Sequence, residues 1–173
     1  MSLNVAPFAQ GSSPRFLADR MVGKLARWLR LLGYDTAYLP QLSPQGVINE
    51  ARRQGRIIVT RDSRIVRRKD AGPLVFIEDD HFREQLRQVV RDLRLDPMAH
   101  LLTRCSECNT QLQPAAKDKV RDRVPEYVWR TQHEFRCCPD CRRVYWGATH
   151  KERMLGELRQ LGLVGEGEFR SPV

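Results

Sequence analysis

With 173 residues, 41% of them hydrophobic, the chain is long enough for one ordinary domain or a small domain with an appendage, and no run reaches the length of a membrane-spanning helix. A net charge of +9 favours a polyanionic partner, because each neutralised phosphate releases counterions; the plainer reading is a merely soluble basic protein. The basic residues are spread over several segments rather than gathered on one amphipathic helix, which argues against a membrane surface.

Residues 1–14, MSLNVAPFAQGSSP, lack the charged start and apolar core of a signal peptide; they read as a flexible leader to a cytoplasmic chain. A short strand is expected at 15–18, RFLA. From Arg20 to Leu32 the spacing turns helical, with Met21, Val22, Leu25, Trp28, Leu29 and Leu32 on one face and Arg20, Lys24, Arg27 and Arg30 on the other. Gly33 is the expected stop. A second strand is expected at 35–40, then a short helix at 46–55, a β-branched strand at 56–60 and a basic, partly helical turn at 63–72. A fourth strand at 73–78 leads into a helix at 80–95, whose inward residues are expected to be Phe82, Leu86, Val89, Val90 and Leu93. Strands and helices alternating with short connections predict an α/β domain with a parallel sheet, spanning 15–100.

Near residue 101 the rhythm breaks, and 101–152 carries all five cysteines. CSEC at 105–108 and CPDC at 138–141 supply four thiolates, Cys105, Cys108, Cys138 and Cys141, for a closed tetrahedral zinc site that holds the fold and does no chemistry. Cys137 is left over; the CxxC spacing prefers Cys138. Residues 153–173 read as one helix and a Gly-rich tail.

Acids recur at the ends of the expected strands: Asp19 after the first, Asp62 after the third, Glu78, Asp79 and Asp80 after the fourth. In an open parallel sheet ligands bind beyond the carboxyl ends of the strands. Acids converging there would need a counterion, and a hard cation such as Mg²⁺ or Mn²⁺ meets that need, activates water and offsets charge developing on a phosphate. Asp19 and Asp62 could equally be caps for the helical segments next to them. Around them Arg20, Lys24 and Arg27, and the denser Arg61, Arg64, Arg67, Arg68 and Lys69, are candidate phosphate contacts that would position a nucleic acid without reading its sequence.

The stretches FLADRMVGKLARWLRLLGYDTAY, GRIIVTRDSRI, RCSECNTQL and CRRVYWGATHKERM, in this order over roughly 15–155, resemble the Mut7-C RNase family. The resemblance implies a PIN-like parallel sheet flanked by helices, a small C-terminal zinc ribbon, and metal-dependent cleavage of RNA, with no small-molecule cofactor. In it Asp19 matches the acid after the first strand, Asp62 the acid of the TRD motif, and the four CxxC cysteines the ribbon ligands; with the strand-end reading, Asp19 and Asp62 are expected to hold the metal, with Asp79 or Asp80 assisting. Relatives tend to carry an acid just before the second helix. Here that stretch reads LSPQ, and Glu50 is the nearest substitute. The alternative function is a non-catalytic RNA-binding module on a degenerate fold of this kind.

Overall fold

A computed structural model describes residues 13–165; the leader up to residue 12 and the tail from 166 on lie outside the described residues. Four short parallel strands, β1 (Phe16–Ala18), β2 (Thr36–Tyr38), β3 (Ile57–Thr60) and β4 (Leu74–Phe76), form one sheet in the order β2-β1-β3-β4. They are joined by α1 (Gly23–Leu31), α2 (Pro44–Gln54) and the single turn α3 (Ser63–Val66), and followed by α4 (Phe82–Asp92).

Side chains alternate across the strands, so the sheet buries both faces. Phe16, Ala18, Ile57, Val59 and Val75 face a core shared with Leu25 and Leu29 of α1 and Leu86, Val89 and Val90 of α4. Leu17, Ile58 and Leu74 face the opposite way, onto Val47, Ile48 and Ala51 of α2 and Ile65 of α3. The result is a mixed α/β structure in which helices flank a parallel sheet.

The helices begin and end for local reasons. Ser43 caps α2 by accepting from the Gly46 amide at 3.2 Å, with Pro44 in its first turn, and Gly55 ends it in the left-handed conformation. Gly33 follows α1 at φ +91°, and a Cβ there would lie 2.0 Å from the His100 carbonyl oxygen, so only glycine lets the second module approach. Two expected core positions differ. Met21 precedes α1 and is half exposed, and Phe82, at the first turn of α4, is only partly buried and stands outside the core cluster. Both lie at an end of their helix, beyond the reach of the sheet.

The second module is a three-stranded antiparallel sheet, β5 (Gln113–Ala115), β6 (Phe135–Cys137) and β7 (Val144–Trp146). A 3-10 helix, Lys117–Arg123, and α5 (Glu126–Thr131) lie between β5 and β6. The last helix, α6 (Ala148–Gln160), returns to the first module and buries Met154 and Leu158 in the core beside α1 and α4. No helix among the described residues is long and apolar enough to cross a membrane.

Polar contacts fasten the two modules together. Arg30, buried on α1, donates to the carbonyls of Ser106 (3.0 Å) and Glu107 (2.7 Å) in the first knuckle and to that of Thr36 (2.8 Å). Asn109 accepts from the Thr36 amide at 2.9 Å and donates to Asp35 at 2.8 Å. Asp35 also receives Arg56 at 2.6 Å and Arg15 at 3.2 Å. Burial raises the Asp35 pKa, but Arg56 and Asn109 outweigh it and hold the carboxyl at about 2. A lowered folded-state pKa means the unfolded chain binds more protons, so stability rises with pH in that window. The expected outcome in acid unfolding is a loss of about 2 kcal/mol between roughly pH 4 and pH 2 that is absent from Asp35→Asn; equal acid sensitivity in the two proteins would remove Asp35 from the account.

Candidate metal centres

Two clusters are candidate metal centres. The first lies in the second module, where Cys105, Cys108, Cys138 and Cys141 bring their sulfur atoms within 4.8 Å of one another, with Cys105 and Cys141 3.6 Å apart. Tetrahedral zinc with bonds near 2.3 Å sets sulfur–sulfur separations of about 3.8 Å, so the four thiols are spaced to bind a metal ion and fit structural zinc. Their electrostatics call for one. Burial raises the Cys105 pKa, but the Tyr145 hydroxyl at 3.1 Å and the Cys108 amide pull it down to about 7. Cys108, hydrogen-bonded to Cys141, partly desolvated and beside Cys105, is pushed up to about 12. Four thiols this close cannot all ionise without a cation. The apolar core here is small, Cys105, Leu112 and Cys138 with Tyr145 packed against them, so a metal would replace the missing burial. Cys137 stands apart, within 3.3 Å of the Arg123 guanidinium, and is not one of the four.

The second cluster lies at the carboxyl edge of the parallel sheet. The strand order reverses direction between β1 and β3, which opens a crevice between the loops leaving them. The parallel register sets Ala18 beside Val59, so the next residues along, Asp19 and Thr60, are neighbours. The Thr60 hydroxyl donates to Asp19 Oδ2 and accepts from the Asp62 amide at 2.9 Å. One buried side chain thus ties both acid-bearing turns together. Asp19, Arg20, Asp62 and Arg64 line one cleft of about 230 Å³, closed on its far side by Leu42, Ser43, Pro44 and Val47.

The two acids differ in what they already hold. Asp19 is 3% exposed; it accepts from Thr60 and from the Met21 amide at 2.7 Å, and has no ion-pair partner among the described residues. It does not cap α1, whose N-cap is Val22. Asp62 does cap α3, accepting from the Arg64 amide, and the Arg64 guanidinium clasps both of its oxygens at 2.7–3.2 Å. That guanidinium holds the Asp62 carboxyl below the usual carboxylate range, against the opposing effect of burial. Two carboxylates on one cleft, one of them buried without a counter-charge, fit a divalent cation. The four cysteines are nevertheless the one grouping of three or more metal-ligating side chains among the described residues.

The remaining candidate acids stand elsewhere. Glu50 is bound by Arg53 at 2.6 Å and by Gln54, in the last turns of α2; its helix begins at the cleft with Ser43 and Pro44 and carries Glu50 away from it. Asp79 accepts from the His81 amide at 2.7 Å and lines a separate cleft with Glu78, Glu84 and Arg87. The Asp80 carbonyl accepts from Gln85, and the residue is exposed. Ser43, which lines the acid cleft, spends its hydroxyl on the α2 cap.

The basic residues divide in the same way. Arg27 pairs with Glu107, Arg64 with Asp62 and Arg68 with Asp70. Arg20, Lys24, Arg61, Arg67 and Lys69 have no ion-pair partner among the described residues, and the Arg61 Nε is buried without a hydrogen bond. Thr60 and Ser43 carry no role in the sequence reading, and only the TRD triplet, with Thr60 two places before Asp62, hints at the first; Arg30, expected on the polar face of the first helix, is instead buried, because the first knuckle covers it.

The Mut7-C RNAse domain profile matches residues 14–158, most of the chain, and the chain belongs to that family. Comparison with curated proteins and with solved structures gives no match.

The cysteine geometry predicts one zinc per chain. Cys138→Ser should lose the metal, and with it the protection of 101–147 from proteolysis, whereas Cys137→Ser should keep both. Zinc retained in Cys138→Ser but lost in Cys137→Ser, read by elemental analysis, would reverse the assignment.

Proposed function

From membership of the Mut7-C RNAse domain family we propose that the chain is a ribonuclease that hydrolyses RNA phosphodiester bonds with Mg²⁺ or Mn²⁺ at the Asp19–Asp62 cleft, on a PIN-like domain stapled by a zinc ribbon. The observation that carries the proposal is the Thr60 bridge, which holds Asp19 and Asp62 on one cleft at the switch point of the sheet. Asp19 and Asp62 would hold the cation, which supplies charge neutralisation and an activated water when bound.

The chain's own residues do the rest. Asp19, buried and fixed by Thr60 and the Met21 amide, presents a preorganised negative charge that needs no reorganisation when a ligand arrives. Arg64 releases Asp62 to the cleft when it turns outward; it is 63% exposed, so its swing costs little packing. The unpaired Arg20 and Arg61 flank the acids and steady the phosphates, with Arg67 and Lys69 beyond them on the same loop. Pro44 and Val47 form an apolar wall that keeps the cleft narrow.

The second reading, an RNA-binding module without turnover, is favoured by one observation: the Arg64 guanidinium already neutralises Asp62. Cleavage of single-stranded and structured RNA, with and without Mn²⁺, decides between them. The expected result is metal-dependent cleavage that falls about a hundredfold or more in Asp19→Asn and in Asp62→Asn, with RNA binding retained. Cleavage that survives both substitutions would remove the site, and salt-sensitive binding with no turnover in any metal would establish the second reading.

A further inference from the structure

Phe82, expected in the core, is instead the middle of a surface ladder of rings. Trp28 of α1 lies on one side of it, with ring centroids 6.2 Å apart and planes at 24°; His81 lies 5.5 Å away at 27°. Near-parallel planes at these separations are offset stacks. Two cations sit over the Phe82 ring, Lys24 Nζ at 4.9 Å and the Arg83 guanidinium at 5.0 Å. Arg83 is also held by Glu157 of α6, while Lys24 has no ion-pair partner among the described residues.

The position of the ladder is set by the fold. His81 is the N-cap of α4, which leaves β4, and Lys24 is in the first turn of α1, which leaves β1. Both helices start at the carboxyl edge of the parallel sheet and pack side by side on one face. The ladder therefore starts on the same rim as Asp19 and Asp62 and runs down between α1 and α4. The His81 imidazole is stacked on Phe82, and the residue is exposed to solvent.

Resting on the ribonuclease reading, we propose that His81, backed by Phe82 and Trp28, is a stacking subsite for an unpaired nucleobase of the RNA strand, with Lys24 taking the adjoining phosphate. A solvent-exposed aromatic ring near an unpaired cation, on the rim that carries the acid cleft, in a chain of net charge +9, matches the combination that binds single-stranded nucleic acid without reading its sequence. Rings stacked in series restrict one another, so the platform is rigid before the base arrives. The subsite selects single strands: bases within a duplex are already stacked and cannot offer a face.

The test is binding of a fluorescent single-stranded oligoribonucleotide to the zinc-loaded protein with no Mg²⁺ or Mn²⁺ added, so that no strand is cut. His81→Ala should weaken binding by roughly five- to a hundredfold, and His81→Phe, which keeps a ring, should restore it. Phe82→Leu, which keeps apolar volume without a ring, should weaken it too. An oligomer of the same length with abasic riboses should bind wild type and His81→Ala equally, as should duplex RNA. Unchanged affinity of His81→Ala and Phe82→Leu for the single strand overturns the subsite while leaving cleavage at the acid cleft intact. A wild-type protein that neither binds nor cuts RNA overturns both readings.

Discussion

The hydroxyl of Thr60 is the contact on which the geometry of the acid cleft depends. It has one proton to give and lone pairs to receive; it gives the proton to Asp19 and receives the amide of Asp62. Parallel pairing of β1 with β3 puts it beside Asp19, and the turn out of β3 brings Asp62 back over it. Two acids far apart in sequence thereby share one wall. The same contact makes it tolerable to bury the Asp19 carboxylate, which otherwise has only the Met21 amide and no ion pair among the described residues. What it does not provide is a counter-charge, which is the part the proposed cation would play.

The second module extends this edge in a different way. Its apolar core is too small to stand alone, so four thiols positioned for a metal hold it from within and α1 holds it from outside. Arg30 is one of those outer ties: its buried guanidinium meets two carbonyls of the first knuckle, Ser106 and Glu107, and the Thr36 carbonyl of β2. The α6 helix closes the circuit by returning to the core beside α4, and Glu157 on it grips Arg83 at the foot of the ring ladder. The cysteine module leads directly into α6, and α6 in turn reaches the ring ladder through Arg83.

Much of this was legible in the residues. Short apolar and β-branched runs marked the four strands, 3.6-residue spacing marked α1 and α4, and the paired CxxC knuckles marked the thiol site, because each signal is local. Strand order is not local. That β1 sits between β2 and β3 depends on how the crossovers pack, so convergence of Asp19 and Asp62 could be expected but not fixed. Glu50 is close in sequence to the cleft, but a helix moves about 1.5 Å per residue away from its start. Asp62 proved to be a cap while also lining the cleft, so the two readings of that residue were not exclusive. Phe82 fits the inward periodicity of α4, yet periodicity cannot tell where the opposing surface ends. Thr60 was hidden because a β-branched residue in a strand needs no further reason to be there.

If Asp19 and Asp62 share a cation, Arg64 must give way to it. Anomalous diffraction from Mn²⁺-soaked crystals tests this most directly. The expected result is a manganese peak in the cleft, with an oxygen of each carboxylate at about 2.1 Å and the Arg64 guanidinium turned out to solvent. A cleft without manganese at saturating metal, with Arg64 still clasping both oxygens of Asp62, would contradict it.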